Sequence, residues 1–225
     1  MTSNVIEDAK PTILVVDDEP TLTFAFEATF QAEGFHVKSA CDGNEAIELL
    51  KQGGYDETYD VMTLDLRMPG MDGLGVMERL HSLGKPVPTL LTSAHMDTST
   101  AVRAAYYGVV DFLKKPSTPA ELRSAVYDLM EDRKRFDSDT EFIPENDADF
   151  VRYAKWKVRQ GNYGQALDIL DKVDPNGTEK SLGPWTVIIS HLDAITEHGT
   201  RPPKFASDNF YDAADLLDQV ALNRA

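Results

Sequence analysis

The sequence holds a single cysteine, Cys41, so it can form no intrachain disulfide and no multi-cysteine metal site, which fits a reducing compartment. Long apolar runs are also missing: the longest, around WTVIISHL, falls far short of the roughly 20 residues that cross a bilayer. The N-terminus, MTSNVIEDAKP, has neither the basic segment nor the apolar segment of a signal peptide. A soluble, cytoplasmic protein without a membrane partner is therefore expected. Positive charge is scarce as well, with 22 Lys and Arg against 38 Asp and Glu and a net charge of -16. After Phe136 there are sixteen acids and nine basic residues. Such a balance repels a phosphate backbone, and no Lys/Arg cluster in the second half has the look of a binding patch, so nucleic acid is not an expected partner.

What is present is the composition of a folding chain: 42% hydrophobic and 27% charged over 225 residues, enough for one full domain and a smaller one. TILVV (12–16) is a continuous β-branched run of the kind buried on both faces of a parallel sheet, and residues 21–32 then have helical periodicity. HVKSA (36–40) gives a second strand, and Asp42 with Glu45 a capping box for a helix to about Lys51. VMTL (61–64), a helix over 73–81, VPTLL (87–91), a helix over 98–107 and a short strand at 111–113 continue the alternation. Thr118, Pro119 and Glu121 supply a cap, a first-turn proline and a third-position acid for a last helix to about Phe136. Five strand-helix units predict a parallel sheet with helices on both faces and ligands at the carboxyl ends of the strands.

Those ends carry a consistent set of polar residues: Asp17 and Asp18 after the first strand, Asp65 after the third, Ser93 after the fourth, Lys114 and Lys115 after the fifth. Loops are often acidic, so one such acid means little; five converging positions mean more. Carboxylates a few ångström apart repel by roughly 4 kcal/mol per pair at an effective dielectric near 20, and an all-oxygen cluster of this kind calls for a divalent cation, with Mg²⁺ favoured. Since Mg²⁺ keeps waters and shares phosphate oxygens, the pattern suits phosphoryl transfer to a carboxylate, with Lys115 and Ser93 facing the phosphoryl oxygens.

ILVVDDEP, LDLRMPGMDG, LTSAH and DFLKKP, in that order, resemble the receiver domains of two-component response regulators over about residues 12–136. The resemblance implies a flavodoxin-like sheet in the order 2-1-3-4-5, for which receivers are themselves a standard example. It makes Asp17 and Asp18 the acidic pair, Asp65 the phosphoacceptor and Arg67 the residue lending its backbone carbonyl to Mg²⁺. Ser93 becomes the hydroxyl switch, Phe112 the aromatic switch and Lys115, followed by a cis Pro116, the family's lysine. It further implies a signalling protein that assists its own phosphoryl transfer and dephosphorylation rather than an enzyme. The expected donor is a sensor histidine kinase or phosphotransfer protein. The face from the fourth to the fifth helix, a homodimer surface in such domains, would carry the change onward. Three features depart from the pattern: GGYDETYD lengthens the segment before the third strand, Phe112 lacks a hydroxyl, and serine stands for threonine at 93. An aspartate-nucleophile phosphatase of the haloacid dehalogenase type would need a second aspartate at 67, where arginine stands.

The second half is less legible. Residues 1–136 are taken as the receiver, DSDTEFIPENDAD (137–149) as an acidic linker and 150–225 as a small all-α module. Helices are expected at 150–159, 163–173, 185–198 and 209–222. YGQALDILDKV and FYDAADLLDQV share residues at equal offsets, and GNYGQALDIL weakly resembles a tetratricopeptide helix pair, although two pairs fall short of the three a solenoid usually needs. Chance similarity between amphipathic helices is the plainer explanation of that match, and core packing the plainer role for Trp156 and Trp185. No P-loop, cyclase signature or basic recognition helix is apparent, so the output is expected to be contact with a protein partner whose identity is open. A small DNA-binding transcriptional regulator and a phosphorylation-independent scaffold are the alternatives.

Overall fold

A computed structural model describes residues 10–52, 59–84, 87–137 and 142–173, and beyond them 185, 188–190 and 192–193. Strands β1 (Thr12–Val16), β2 (His36–Ala40), β3 (Val61–Asp65), β4 (Thr89–Ser93) and β5 (Val109–Lys114) form one sheet in the order β2-β1-β3-β4-β5. All neighbouring pairs are parallel. Helices α1 (Pro20–Ala32), α2 (Gly43–Gln52), α3 (Gly73–Leu83), α4 (Thr98–Tyr106) and α5 (Pro119–Phe136) complete the alternation, which is the expected fold.

The period of two along each strand sends alternate residues to opposite faces. Leu14, Val16, Met62, Leu64 and Leu91 join the core beneath α2, α3 and α4, whereas Ile13, Val15, Val61 and Leu90 join the one beneath α1 and α5. The capping box predicted for α5 is formed: the Thr118 hydroxyl accepts from the Glu121 N–H while the Glu121 carboxylate accepts from the Thr118 N–H. Strand β4 starts two residues later than the apolar pattern of 87–91 suggests, because Pro88 has no N–H for the ladder; only its carbonyl takes part, accepting from Met62. Strand β5 is longer than predicted, pairing from Val109 through a register shift opposite Thr89 and Leu90.

Two further helices follow, α6 (Asp147–Arg159) and α7 (Tyr163–Val173). Helix α6 begins inside the segment read as linker because Asn146 caps it, accepting from the Asp149 N–H, and Asp147 and Asp149 suit the positive end of the helix dipole. Gly161, at φ +76, turns the chain into α7. The helical residues at 185, 188–190 and 192–193 fall within the third expected helix. The remainder of that helix, the one expected at 209–222 and most of the GGYDETYD segment lie outside the described residues. Only the α6–α7 pair is therefore seen of the two proposed helical hairpins, and the tetratricopeptide resemblance gains no support.

The position of α6 was not foreseen. It lies along β5, the edge strand of the sheet, and packs against α4 and α5 as well. Covering an edge removes unpaired backbone groups from reach of other chains. Ala154 and Val158 reach into the core on the α2–α4 side, and Trp156 into the core on the α1–α5 side, so this helix closes both cores at once. No residue from Asp149 to Arg159 is exposed. Burying a tryptophan removes about 200 Å² from water, or about 5 kcal/mol as an upper figure; Trp156 and Trp185 are both fully buried.

Candidate functional site

The carboxyl ends of β1, β3 and β5 bring four of the predicted residues together. Oxygens of Asp17, Asp18 and Asp65 lie within 4.8 Å of one another. Between two of these acids sits Lys115, with its Nζ 2.7 Å from Asp17 Oδ2 and 3.0 Å from Asp65 Oδ1. Lys115 follows β5 and precedes a cis Pro116. Asp17 is held further by the Glu19 N–H, 3.0 Å from its Oδ1, and its own carbonyl accepts from the Thr23 hydroxyl, so the start of α1 fixes the first acid.

Asp65 closes β3 on the central side of the sheet, and the chain beyond it turns sharply through Arg67 and Gly70, the latter at φ +78. Helix α3 then comes so close that a Cβ on Gly73 would stand 2.4 Å from the Asp65 carbonyl oxygen; the Gly73 N–H donates to Leu66 instead. That close approach explains Gly73, the second glycine of MPGMDG. Burial pushes the Asp65 carboxyl above its ordinary range, and the charge of Asp17 adds to the shift, against the Lys115 ammonium and the Arg67 backbone N–H. For Lys115 burial works downward, yet the hydrogen bonds and charges of Asp17 and Asp65 prevail and raise it.

Ser93 ends β4 and is buried; its hydroxyl donates to the His95 carbonyl at 2.7 Å, a bond within its own loop. Arg67 is exposed, and the contact recorded for it in the site is through its backbone N–H, not the carbonyl predicted as a ligand. Phe112 does not reach the acids. It is buried on β5 with its ring stacked on Trp185, 5.5 Å between centroids and 28° between planes.

The family model of the response regulator receiver domain matches residues 13–127, just over half of the chain. The chain belongs to this family. A receiver domain is a signalling module of two-component systems rather than an enzyme, works with histidine kinases or phosphotransfer proteins, and binds Mg²⁺ at an acidic pocket such as Asp17, Asp18 and Asp65 form here. Among solved structures, a CheY-like receiver from Methanospirillum hungatei JF-1 superposes with a TM-score of 0.51 at 19% identity, over 56% of this chain and 98% of that one, a likeness of fold. Among curated proteins, the Porphyridium aerugineum protein named "Probable transcriptional regulator ycf27" is 33% identical over 121 residues, 54% of this chain and 48% of that protein. The C4-dicarboxylate transport transcriptional regulatory protein DctD of Rhizobium meliloti is 33% identical over 108 residues, 48% of this chain and 23% of that protein. The chain thus matches half or less of these relatives' length.

One expectation needs correction. Both relatives bear the names of transcriptional regulators, so excluding nucleic acid as a partner finds no support. Helix α6 carries four cations of the second half, Arg152, Lys155, Lys157 and Arg159. Most of them are turned inward: Arg152 Nε lies 2.7 Å from Asp132, Lys155 Nζ 3.0 Å from Asp111 and Arg159 3.8 Å from Asp137. The expected homodimer surface, from the fourth to the fifth helix, is covered by this same helix. Among the described residues no helix is long and apolar enough to cross a membrane.

Proposed function

We propose that this chain is a phosphorylation-dependent switch in which the Asp65 carboxylate attacks the phosphorus of a donor phosphoryl group. The donor is a phosphohistidine of a sensor kinase or phosphotransfer protein; its P–N bond breaks as the P–O bond to Asp65 forms, and the electron pair stays on the imidazole. Hydrolysis by water later returns the carboxylate and releases phosphate. One observation carries this reading: three carboxylates against one ammonium at the end of the sheet, with Lys115 bridging Asp17 and Asp65. The surplus of negative charge and the all-oxygen donor set fit Mg²⁺. Asp17, Asp18 and Asp65, with the Arg67 carbonyl, would hold the ion, which would supply charge neutralisation for the incoming phosphoryl group. Lys115 stabilises the same charge from the other side. The Ser93 hydroxyl leaves the His95 carbonyl to bond the phosphoryl oxygen, so the loop between β4 and α4 moves.

The output follows from that movement. Helix α4, β5 and α5 are the elements on which α6 rests, and the helical module from residue 150 onward is the surface a protein partner recognises. Moving such a switch from mostly inactive to mostly active takes about 5 kcal/mol of differential stabilisation, within the range of a few charge-assisted hydrogen bonds. Incubation with acetyl phosphate and Mg²⁺ should add one phosphoryl mass to the intact chain, and none to D65N. A stoichiometric label retained in D65N would refute the assignment.

A second reading, transcriptional control through DNA, is favoured by the names of the relatives, whose similarity lies in the receiver. Against it stands the pairing of the α6 cations with acids of the receiver. Salt-sensitive binding of a DNA duplex decides between the two.

A further inference from the structure

We propose that α6 remains seated on the receiver in both states of the switch, so that the face of α4, β5 and α5 stays closed to a second copy of the chain and the signal leaves in place, through the contact of Phe112 with Trp185. The in-place switch rests on the phosphoacceptor reading above; the closed face does not.

Three independent features of the seat argue against release. The helix closes both hydrophobic cores, with Ala154 and Val158 on one side of the sheet and Trp156 on the other. Its charges are matched across the contact to Asp111, Asp132 and Asp137, and the indole N–H of Trp156 donates to Asp137 at 3.0 Å. Its N-terminal turn is tied back by Arg135, 2.9 Å from Asp149. Separation would expose Trp156, uncover the face of the Trp185 ring that Lys155 covers, and strand the half-buried ions on each side. Burial of the Trp156 indole is worth up to as much as the bias that phosphorylation supplies, and Ala154, Val158 and the ion pairs add to it, so the phosphoryl group can rearrange this seat but not empty it.

Phe112 is then not free to swing to solvent. Its outer neighbour is the Trp185 ring, which Lys155 Nζ covers at 5.0 Å while also pairing with Asp111, the residue before Phe112. Any displacement of Phe112 therefore changes the surroundings of Trp185 directly. This makes Trp185 a positioning residue, which transmits the state of β5 to the helices around it.

The test uses the full chain in two arms. In the first, wild-type protein is treated with acetyl phosphate and Mg²⁺, and amide hydrogen exchange and solution mass are measured before and after. Exchange protection across α6 should be unchanged to within about threefold, and the mass should stay at the 25.0 kDa of one chain in both states. Loss of α6 protection, or a species of twice that mass, would overturn the closed face even if Asp65 takes no phosphate. In the second arm W156F leaves Trp185 as the lone tryptophan, because the sequence has two. Its emission should shift on phosphorylation and stay fixed in W156F/D65N under the same treatment. A phosphorylated chain with unchanged emission would overturn the exit route through Trp185. Should W156F fail to fold, wild-type emission compared with W185F supplies the same reading. Failure to add phosphoryl mass would count against the Asp65 assignment, and the in-place switch would fall with it.

Discussion

Two clusters of charge on this molecule look alike as lists of residues and differ in balance. At the carboxyl ends of the strands, three aspartates face Lys115, which pairs with the buried Asp17 and Asp65, so the site carries surplus negative charge in a largely buried place. Along β5 and α5, Asp111, Asp132 and Asp137 meet Lys155, Arg152 and Arg159 in about equal number, beside the aromatic rings of Trp156 and Trp185. Surplus negative charge at the end of a sheet calls for a cation from outside. Matched charge over apolar surface needs no cation from outside and fixes one element against another. The difference between chemistry and docking lies here in the balance of the charges, not in the residue types.

The comparison can be broken most severely at Asp65. D65N should lose the phosphoryl label altogether while unfolding much as the wild type does, since the substitution removes a charge the fold does not need; intact mass and a urea titration measure the two effects. The converse change is W156A, which should cost about 3–5 kcal/mol of stability and leave initial phosphorylation by acetyl phosphate in place under conditions where the variant is folded. If W156A instead abolished labelling with little loss of stability, the two clusters would not be separable.

Lys115 and Lys114 sharpen the distinction within a single pair of residues. K115A should slow labelling roughly 100-fold or more, the scale for removing one charged group from a phosphoryl site, whereas K114A should label at nearly the wild-type rate. The reverse order would displace the site to the wrong lysine.

The smallest effect concerns the docking cluster alone. Burial pushes the Asp132 carboxyl up to about 6, against the pull of Arg152 and Lys155. Since the folded chain holds this proton more tightly than the unfolded one, the contribution is present below the ordinary aspartate range and is lost as pH rises through about 6. The decline should amount to at most about 3 kcal/mol between pH 4 and 6.5. D132N should flatten that portion of the stability curve, read from urea midpoints at several pH values, while labelling at Asp65 remains. An unchanged slope in D132N would assign the pH dependence to other groups.

Much of the site was legible in the linear sequence because each of its residues follows a strand whose β-branched or apolar run announces itself. Asp17, Asp65, Ser93 and Lys115 inherit their positions from strand order, and parallel connections allow few other orders. Local capping pattern located the cap at Thr118. The cover on β5 was not legible, because it depends on which side of an edge strand a later helix comes to lie. Nothing in DFVRYAKWKVR states that its cations face inward, and helical periodicity alone suggests an ordinary solvated charged face.

By itself the sequence determined the alternation of strands and helices, the identity of the residues at the strand ends and the excess of acid there, since these follow from local pattern and fixed connection rules. Only the tertiary structure decided that Lys115 rather than its neighbour lies between Asp17 and Asp65, and that Phe112 is capped by Trp185. It alone decided that α6 lies across α4, β5 and α5. The reason is distance along the chain: Lys115 and Asp17 are 98 residues apart, and Phe112 and Trp185 also meet across a long separation. Such contacts are selected by packing of the whole, where volume and charge must be satisfied together, and no short window of sequence contains both partners.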